Sequence, residues 1–65
     1  MMKLVFQITQ AQQALKELYG QKGYHQLIVK MKEKTNNDPV LLLAIYQDKD
    51  LFPAIRLVAL SLLGE

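Results

Sequence analysis

The sequence predicts an all-α domain of four short helices, arranged as two antiparallel helical hairpins. Apolar residues recur at helical spacing along most of the chain, and only one short stretch alternates in the manner of a strand. The breaks between apolar segments are short and carry residues typical of helix ends, such as Gly20 and the pair Asp38 and Pro39. A chain of 65 residues is long enough for one domain only, which we place at residues 1–65.

The first predicted helix lies in ITQAQQALKELYG, residues 8–20. Thr9 and Gln12 have the spacing of a capping box, in which two side chains satisfy free amides at a helix start. Gly20 is suited to end the helix. The preceding residues 2–8 have apolar side chains at the alternate positions Met2, Leu4, Phe6 and Ile8, which suggests a strand. No second strand is visible to pair with them, so they are extended or lengthen helix one. The apolar face of the helix consists of Ala11, Ala14, Leu15 and Leu18.

The second predicted helix lies in GYHQLIVKMKEKT, residues 23–35. Three lysines, Lys30, Lys32 and Lys34, fall in its last turns, where cations interact favourably with the negative end of the helix dipole. Its apolar face consists of Tyr24, Leu27, Ile28 and Met31.

The third predicted helix lies in TNNDPVLLLAIYQD, residues 35–48, and has the clearest start. Asp38 can cap it, and Pro39 stands at the first helical position, where its missing N–H costs nothing. The run from Val40 to Tyr46 is apolar throughout and is also compatible with a buried strand. The capping pair favours a helix.

The fourth predicted helix lies in KDLFPAIRLVALSLLGE, with Asp50 as cap, Pro53 in the first turn and Gly64 at the end. Ten of the thirteen residues from Leu51 to Leu63 are apolar, so the helix is apolar nearly all round. Such helices are normally buried on several sides. The fourth helix is therefore either the central element of the domain or part of a contact with another chain.

The last predicted helix carries a pattern of spaced residues: Asp50, Ile55, Arg56, Ala59 and Leu63-Gly64. With this pattern, the last two predicted helices resemble one HEAT-type repeat, the antiparallel helix pair of α-solenoids, over about residues 37–64. The resemblance implies a HEAT-like fold, with a small helical bundle as the alternative. It implies that Ile55 and Ala59 face the core and that Asp50 and Arg56 bond between neighbouring repeats. Solenoids need about three stacked units, so the resemblance also implies an apolar face that awaits a partner.

Composition argues against several classes of protein. The chain has no cysteine and a single histidine, His25, so neither a disulfide nor a zinc site is expected, and we expect no cofactor. The apolar run after Lys3 ends at Phe6, which is too short for a signal peptide, and the last apolar run is too short to cross a membrane. We therefore expect a cytoplasmic protein without a membrane partner.

No motif for catalysis or metal binding is visible. His25 has no neighbouring nucleophile and is interpreted as a surface residue. Asp38, Asp48 and Asp50 could form a carboxylate cluster, but Asp38 and Asp50 are better explained as helix caps, and their spacing fits no EF-hand loop. We therefore expect a protein that is not an enzyme.

Two functions remain open. The first is a protein–protein interaction module that binds another protein or its own copy through an apolar face of helix four. The second is a small nucleic-acid-associated regulator that uses lysines of helix two, although a net charge of +2 is low for that class. The candidate partner-binding residues are Phe52, Arg56, Leu57, Leu60 and Leu63, and the candidate nucleic-acid residues are Lys22, Lys30 and Lys34.

Overall fold

The structure, a computed structural model, describes the backbone of residues 2–65 and the surroundings of the side chains from Lys3 onward. Within that range it contains three α-helices and no strand: α1 (Met2–Thr35), α2 (Pro39–Gln47) and α3 (Pro53–Leu63). The all-α prediction is confirmed. The number of helices is three instead of four, because the segments predicted as helices one and two are joined in α1.

Gly20 bends α1 into two helical segments. Its backbone has φ 75° and ψ 170°, a combination that an L-residue with a side chain adopts only under strain. The predicted interruption at Gly20 is therefore present, but the helix resumes at the next residue instead of passing through a loop. Gly23 also contributes to the bend, since a Cβ at that position would lie 2.9 Å from the Tyr19 Cβ.

The stretch before Thr9 is helical, so of the two alternatives for residues 2–8 the helix extension is correct. The predicted capping box is wrong for the same reason, since Thr9 lies inside α1 and its hydroxyl donates to the Val5 carbonyl at 3.1 Å. Gln12 instead reaches across to α3, where its Nε2 donates to the Ser61 carbonyl at 3.1 Å. This bond joins α1 to the end of α3 through a carbonyl that also accepts from the Gly64 N–H.

Asp38 caps α2 as predicted: its Oδ1 accepts a hydrogen bond from the Val40 N–H at 3.0 Å, and Pro39 is the first helical residue. The alternative of a buried strand is excluded. The predicted Asp50 cap of the last helix is wrong. Pro53 starts α3 after Phe52, which makes no side-chain cap bond, while the Asp50 N–H donates to Asp48 Oδ1 at 2.9 Å in a turn.

α3 lies between the other two helices. α1 and α2 each pack on it and scarcely touch each other. The C-terminal half of α3 is therefore covered on all sides, with every residue from Val58 to Leu62 buried. The prediction that this helix is the central element of the domain is confirmed for its C-terminal half. The main core cluster consists of Leu15, Tyr24, Ile28, Leu42, Val58, Ala59 and Leu62.

Gly64 ends α3, as predicted, and its N–H donates to the Ser61 carbonyl at 3.0 Å. Here the absence of a side chain matters for packing, because a Cβ at position 64 would overlap the Ile8 side chain and crowd the Gln12 amide. The end of α3 therefore lies directly against the first half of α1. None of the helices within residues 2–65 combines the length and apolar character needed to cross a bilayer.

Candidate protein-binding surface

α2 is an apolar helix at the edge of the domain. Its sequence, PVLLLAIYQ, contains no charged residue, yet only Leu42 is fully buried. At 100° per residue, Leu42 points towards α3, whereas Val40, Leu43, Ala44 and Gln47 lie close together on the opposite side. We call these four residues the outer face of α2. All four are exposed, and Val40 is 76% exposed.

An exposed apolar helix face of this kind is unusual. The solvent side of a surface helix normally carries polar residues, and a helix that is apolar all round is normally buried. α3 meets that rule because it lies in the middle of the domain. α2 does not meet it, because only one of its sides is packed. The helix that lacks a covering element is therefore α2, not the last helix as the sequence suggested.

A groove opens on the neighbouring side of α2. It runs between α2, the second segment of α1 and the first turns of α3, and its volume is about 390 Å³. Tyr19, Leu41 and Ile55, which line it, are 48%, 42% and 39% exposed, so their apolar surface is open to a ligand. The other apolar lining residues are Leu27, Met31, Ile45, Leu51, Ala54 and Val58.

The groove exists because α1 and α2 diverge over the start of α3. Val58 is the first residue of α3 that is fully buried. One turn earlier, Ala54 presents only a methyl group and Ile55 is partly uncovered, so the space between α1 and α2 remains unfilled. The two outer helices make few contacts across this gap.

The charge around the groove is positive. Lys30 and Lys34, one turn apart on α1, line its edge, and no carboxylate is among the lining residues. The remaining polar side chain there, Thr35, uses its hydroxyl to donate to the Met31 carbonyl at 2.8 Å. Apolar groups therefore form most of the groove, and two ammonium groups lie at its α1 side.

Most of the partner-binding residues predicted from the sequence belong to the folded core in this structure. Leu60 is only 2% exposed, so it is not accessible to a partner. Leu57 and Leu63 are partly buried against the core, and Arg56 is held by a hydrogen bond from its Nε to the Tyr46 carbonyl. Only Phe52, 76% exposed, projects into solvent. Leu57 and Leu60 lie beside Ala11 and Ala14 in the first half of α1, which packs along α3 there.

The lysines predicted as nucleic-acid residues are all exposed. Lys30 and Lys34 share the groove edge, whereas Lys22 follows the Gly20 bend and does not line the groove. Tyr19, Leu41 and Ile55 were not predicted as site residues. For Leu41 the sequence contained one indication of exposure. The residues from Val40 to Tyr46 are all apolar, so a helix with one buried face must expose some of them.

Most ionisable side chains of the described residues are exposed. His25 is exposed, as predicted. Within the described part of the chain, no group of three or more His, Asp or Glu side chains is arranged to hold a metal ion. The Tyr24 hydroxyl donates to the Glu65 carboxylate, and burial, followed by this contact, raises the pKa of Tyr24 above its ordinary value. Tyr24 therefore acts as a neutral donor that joins α1 to the end of the described chain.

A second exposed apolar patch lies on the first turns of α1, where Leu4, Val5 and Phe6 are each more than 40% exposed.

Comparison of the chain with protein-family models, with curated proteins and with solved structures gave no match in any of the three.

Proposed function

We propose that this protein is a non-enzymatic interaction module that acts in the cytoplasm and binds a protein through two adjacent surfaces, the groove and the outer face of α2. The observation that carries the proposal is the position of α2, an uncharged apolar helix with only one side packed. Contiguous apolar surface around a concavity is typical of protein-binding sites.

The groove supports the proposal because it offers an anchoring site beside that helix. Aromatic side chains are enriched among residues that dominate binding energy, and Tyr19 and Phe52 are available at the groove and next to it. The patch of Leu4, Val5 and Phe6 lacks a comparable concavity, so we place the principal interface at the groove and α2.

We further propose that α2 and α3 form a HEAT-like antiparallel hairpin. Complete burial of Ala59 supports this, because a small residue there allows the paired helices to approach closely. Three features depart from the family pattern. Asp50 does not cap α3, and the Nε of Arg56 donates to Tyr46 within the helix pair. Ile55, which the resemblance places in the core, is exposed at the groove.

A nucleic-acid function is the alternative, supported by the exposure of Lys22, Lys30 and Lys34. Nucleic-acid interfaces are more polar and much more positively charged than protein interfaces. Here the two paired lysines border an apolar groove, and the net charge is only +2. Protein binding explains the apolar surface, which a nucleic-acid function would leave without a role. Binding to an oligonucleotide that weakens steeply with salt would favour the alternative.

The experiment uses three proteins as baits: the wild type, Ile55→Asp and Val29→Asp. The binding of partner proteins to the three baits is compared, and only partners that bind at defined stoichiometry are counted. The two residues have nearly equal exposure, 39% and 38%, but only Ile55 lines the groove. Position 55 is in the first turn of α3, where a carboxylate is favourable for the helix, so folding should be retained. We expect Ile55→Asp to lose the partner and Val29→Asp to keep it. Identical binding by all three proteins, with helicity retained, would contradict the proposal.

A further inference from the structure

We infer that the groove accepts the outer face of α2 from a second copy of this chain, so that copies associate head to tail. The inference rests on the proposed function and names the partner. Both halves of the interface are present on one molecule: an apolar groove that is open, and an apolar helix face that is uncovered.

The shape of the outer face fits a helix-in-groove contact. Val40, Leu43 and Ala44 are apolar and are spaced i, i+3 and i+4, the spacing at which one side of a helix meets a hydrophobic groove, and Gln47 continues this side at i+7 with a polar group. The small side chain of Ala44 allows the backbone of the helix to come close to the groove. Met31 in the groove lining is flexible and can adapt to the incoming side chains.

The charges also match. α2 itself is uncharged, and the nearest charged residues at its two ends, Asp38 and Asp48, are both acidic. The charged residues of the groove, Lys30 and Lys34, are both basic. Docking α2 into the groove of another copy therefore brings carboxylates towards ammonium groups, which favours association.

The same charges argue against a symmetric contact between two α2 helices. If two outer faces packed on each other, antiparallel helices would bring Asp38 of one copy towards the partner's Asp48. Parallel helices would bring like ends together. Both arrangements place carboxylates side by side, which costs free energy. The head-to-tail contact avoids this repulsion, and a contact of this kind forms a ring if it closes and an open chain if it does not.

Other apolar segments of the chain are less suitable occupants of the groove. The patch of Leu4, Val5 and Phe6 follows Lys3, whose charge would be repelled by the groove edge. Phe52 lies between Asp48, Lys49 and Asp50 on one side and Arg56 on the other, so the charges around it cancel. The outer face of α2 lies between Asp38 and the run Asp48, Lys49 and Asp50, so its flanking charge is acidic on balance.

The test is the mass in solution, measured by light scattering from about 10 μM to about 1 mM, since one helix in a groove is a small interface and binds weakly. We expect the wild type to exceed its monomer mass of 7.5 kDa as concentration rises. Two variants should remain monomeric: Ile55→Asp, which changes the groove, and Ala44→Lys, which places a bulky cation on the outer face. Val29→Asp and Gln13→Lys, which make similar changes at exposed positions elsewhere on α1, are the controls and should associate like the wild type.

Mixing the two monomeric variants gives the decisive measurement. Ile55→Asp retains an intact outer face and Ala44→Lys an intact groove, so an equimolar mixture can form one head-to-tail contact and should give a 1:1 dimer. The double change Lys30→Glu and Lys34→Glu should weaken wild-type association about tenfold. A wild type that stays monomeric, or a mixture that stays monomeric while the wild type associates, would overturn the inference. A monomeric wild type would overturn only the contact between copies, and the bait experiment would still test the proposed function. Identical binding by the three baits would overturn the proposed function and, with it, the inference that rests on it.

Discussion

Arg56 holds the start of α3 against the end of α2, because its Nε donates to the Tyr46 carbonyl at 2.8 Å. The guanidinium also lies 5.9 Å from the centre of the Tyr46 ring. Tyr46 in turn donates from its hydroxyl to the Gln7 side chain of α1 at 3.2 Å. A charged residue on an otherwise apolar helix therefore connects all three helices through one partner.

Replacing Arg56 with alanine should lower the free energy of unfolding by about 1–3 kcal/mol, the usual range for a hydrogen bond to a charged group. Arg56→Lys should recover little of this loss, because the ammonium group cannot reproduce the position of Nε. Urea denaturation monitored by circular dichroism checks both variants. Stability of Arg56→Ala equal to that of the wild type would show that the bond contributes nothing.

Gly20→Ala should destabilise the protein by about 1–3 kcal/mol, because the backbone of Gly20 lies where L-residues are strained. D-alanine at the same position should be tolerated, since φ 75° with ψ 170° mirrors the extended region of an L-residue. Chemical synthesis of the 65-residue chain makes this comparison practical. The form with L-alanine should have a lower melting temperature than the form with D-alanine. Gln21→Ala, at an exposed neighbouring position, is the control. Equal melting temperatures for L- and D-alanine would contradict the role given to Gly20.

Ser61→Ala should stabilise the protein by about 1 kcal/mol. The Ser61 side chain is fully buried, and its hydroxyl has no hydrogen-bond partner among the described residues. Removing an unsatisfied buried hydroxyl eliminates its desolvation cost, while the Cβ of Ser61 remains as the methyl group of alanine. The Gln12 bond is retained because it uses the Ser61 backbone carbonyl. Chemical denaturation measures the change, and a loss of stability would show that the hydroxyl is satisfied in solution.

The Tyr24 hydroxyl should make stability fall in alkaline solution. Its pKa is raised in the folded chain by burial and by the Glu65 carboxylate, so the folded state holds the proton more tightly than the unfolded state does. The contribution is complete below about pH 10, the ordinary value for tyrosine, and is lost as pH rises further. We expect the stability difference between wild type and Tyr24→Phe to be constant below pH 10 and to shift against the wild type above it.

The control for this prediction is Glu65→Gln, which removes the carboxylate and should reduce the pH dependence without abolishing it, because burial is the larger cause. Unfolding by urea at a series of pH values from about 8 to 11.5 gives the necessary curves. A difference between wild type and Tyr24→Phe that does not change with pH would contradict the assignment.

Local signals in the sequence predicted the helix boundaries wherever the controlling residues are adjacent in the chain. Asp38 and Pro39 start α2, Gly64 ends α3 and Gly20 interrupts α1, since each acts on the backbone beside it. Asp50 failed as a cap because it lies in a turn, where its own N–H donates to Asp48 Oδ1, and α3 begins only three residues later at Pro53. The capping box at Thr9 failed because the helix had already begun.

The site was harder to predict, since burial depends on which helices meet. α2 and α3 are both apolar in sequence, and nothing local tells which of them is central. Leu60 is only 2% exposed and Val40 is 76% exposed, although both belong to apolar runs. The groove joins Tyr19, Leu41 and Ile55 from three different helices, so it becomes visible only when the packing is known.

The central position of α3 has a consequence for how the protein is made. α1 and α2 leave the ribosome first, but they have few contacts with each other and cannot form the core. α3 is the last of the three helices to be synthesised, and it carries Val58, Ala59 and Leu62, which complete that core. The apolar faces of the nascent chain therefore stay bare until the final residues of α3 emerge, and a chain stalled before Pro53 has no folded state to reach and becomes a substrate for chaperones or proteases.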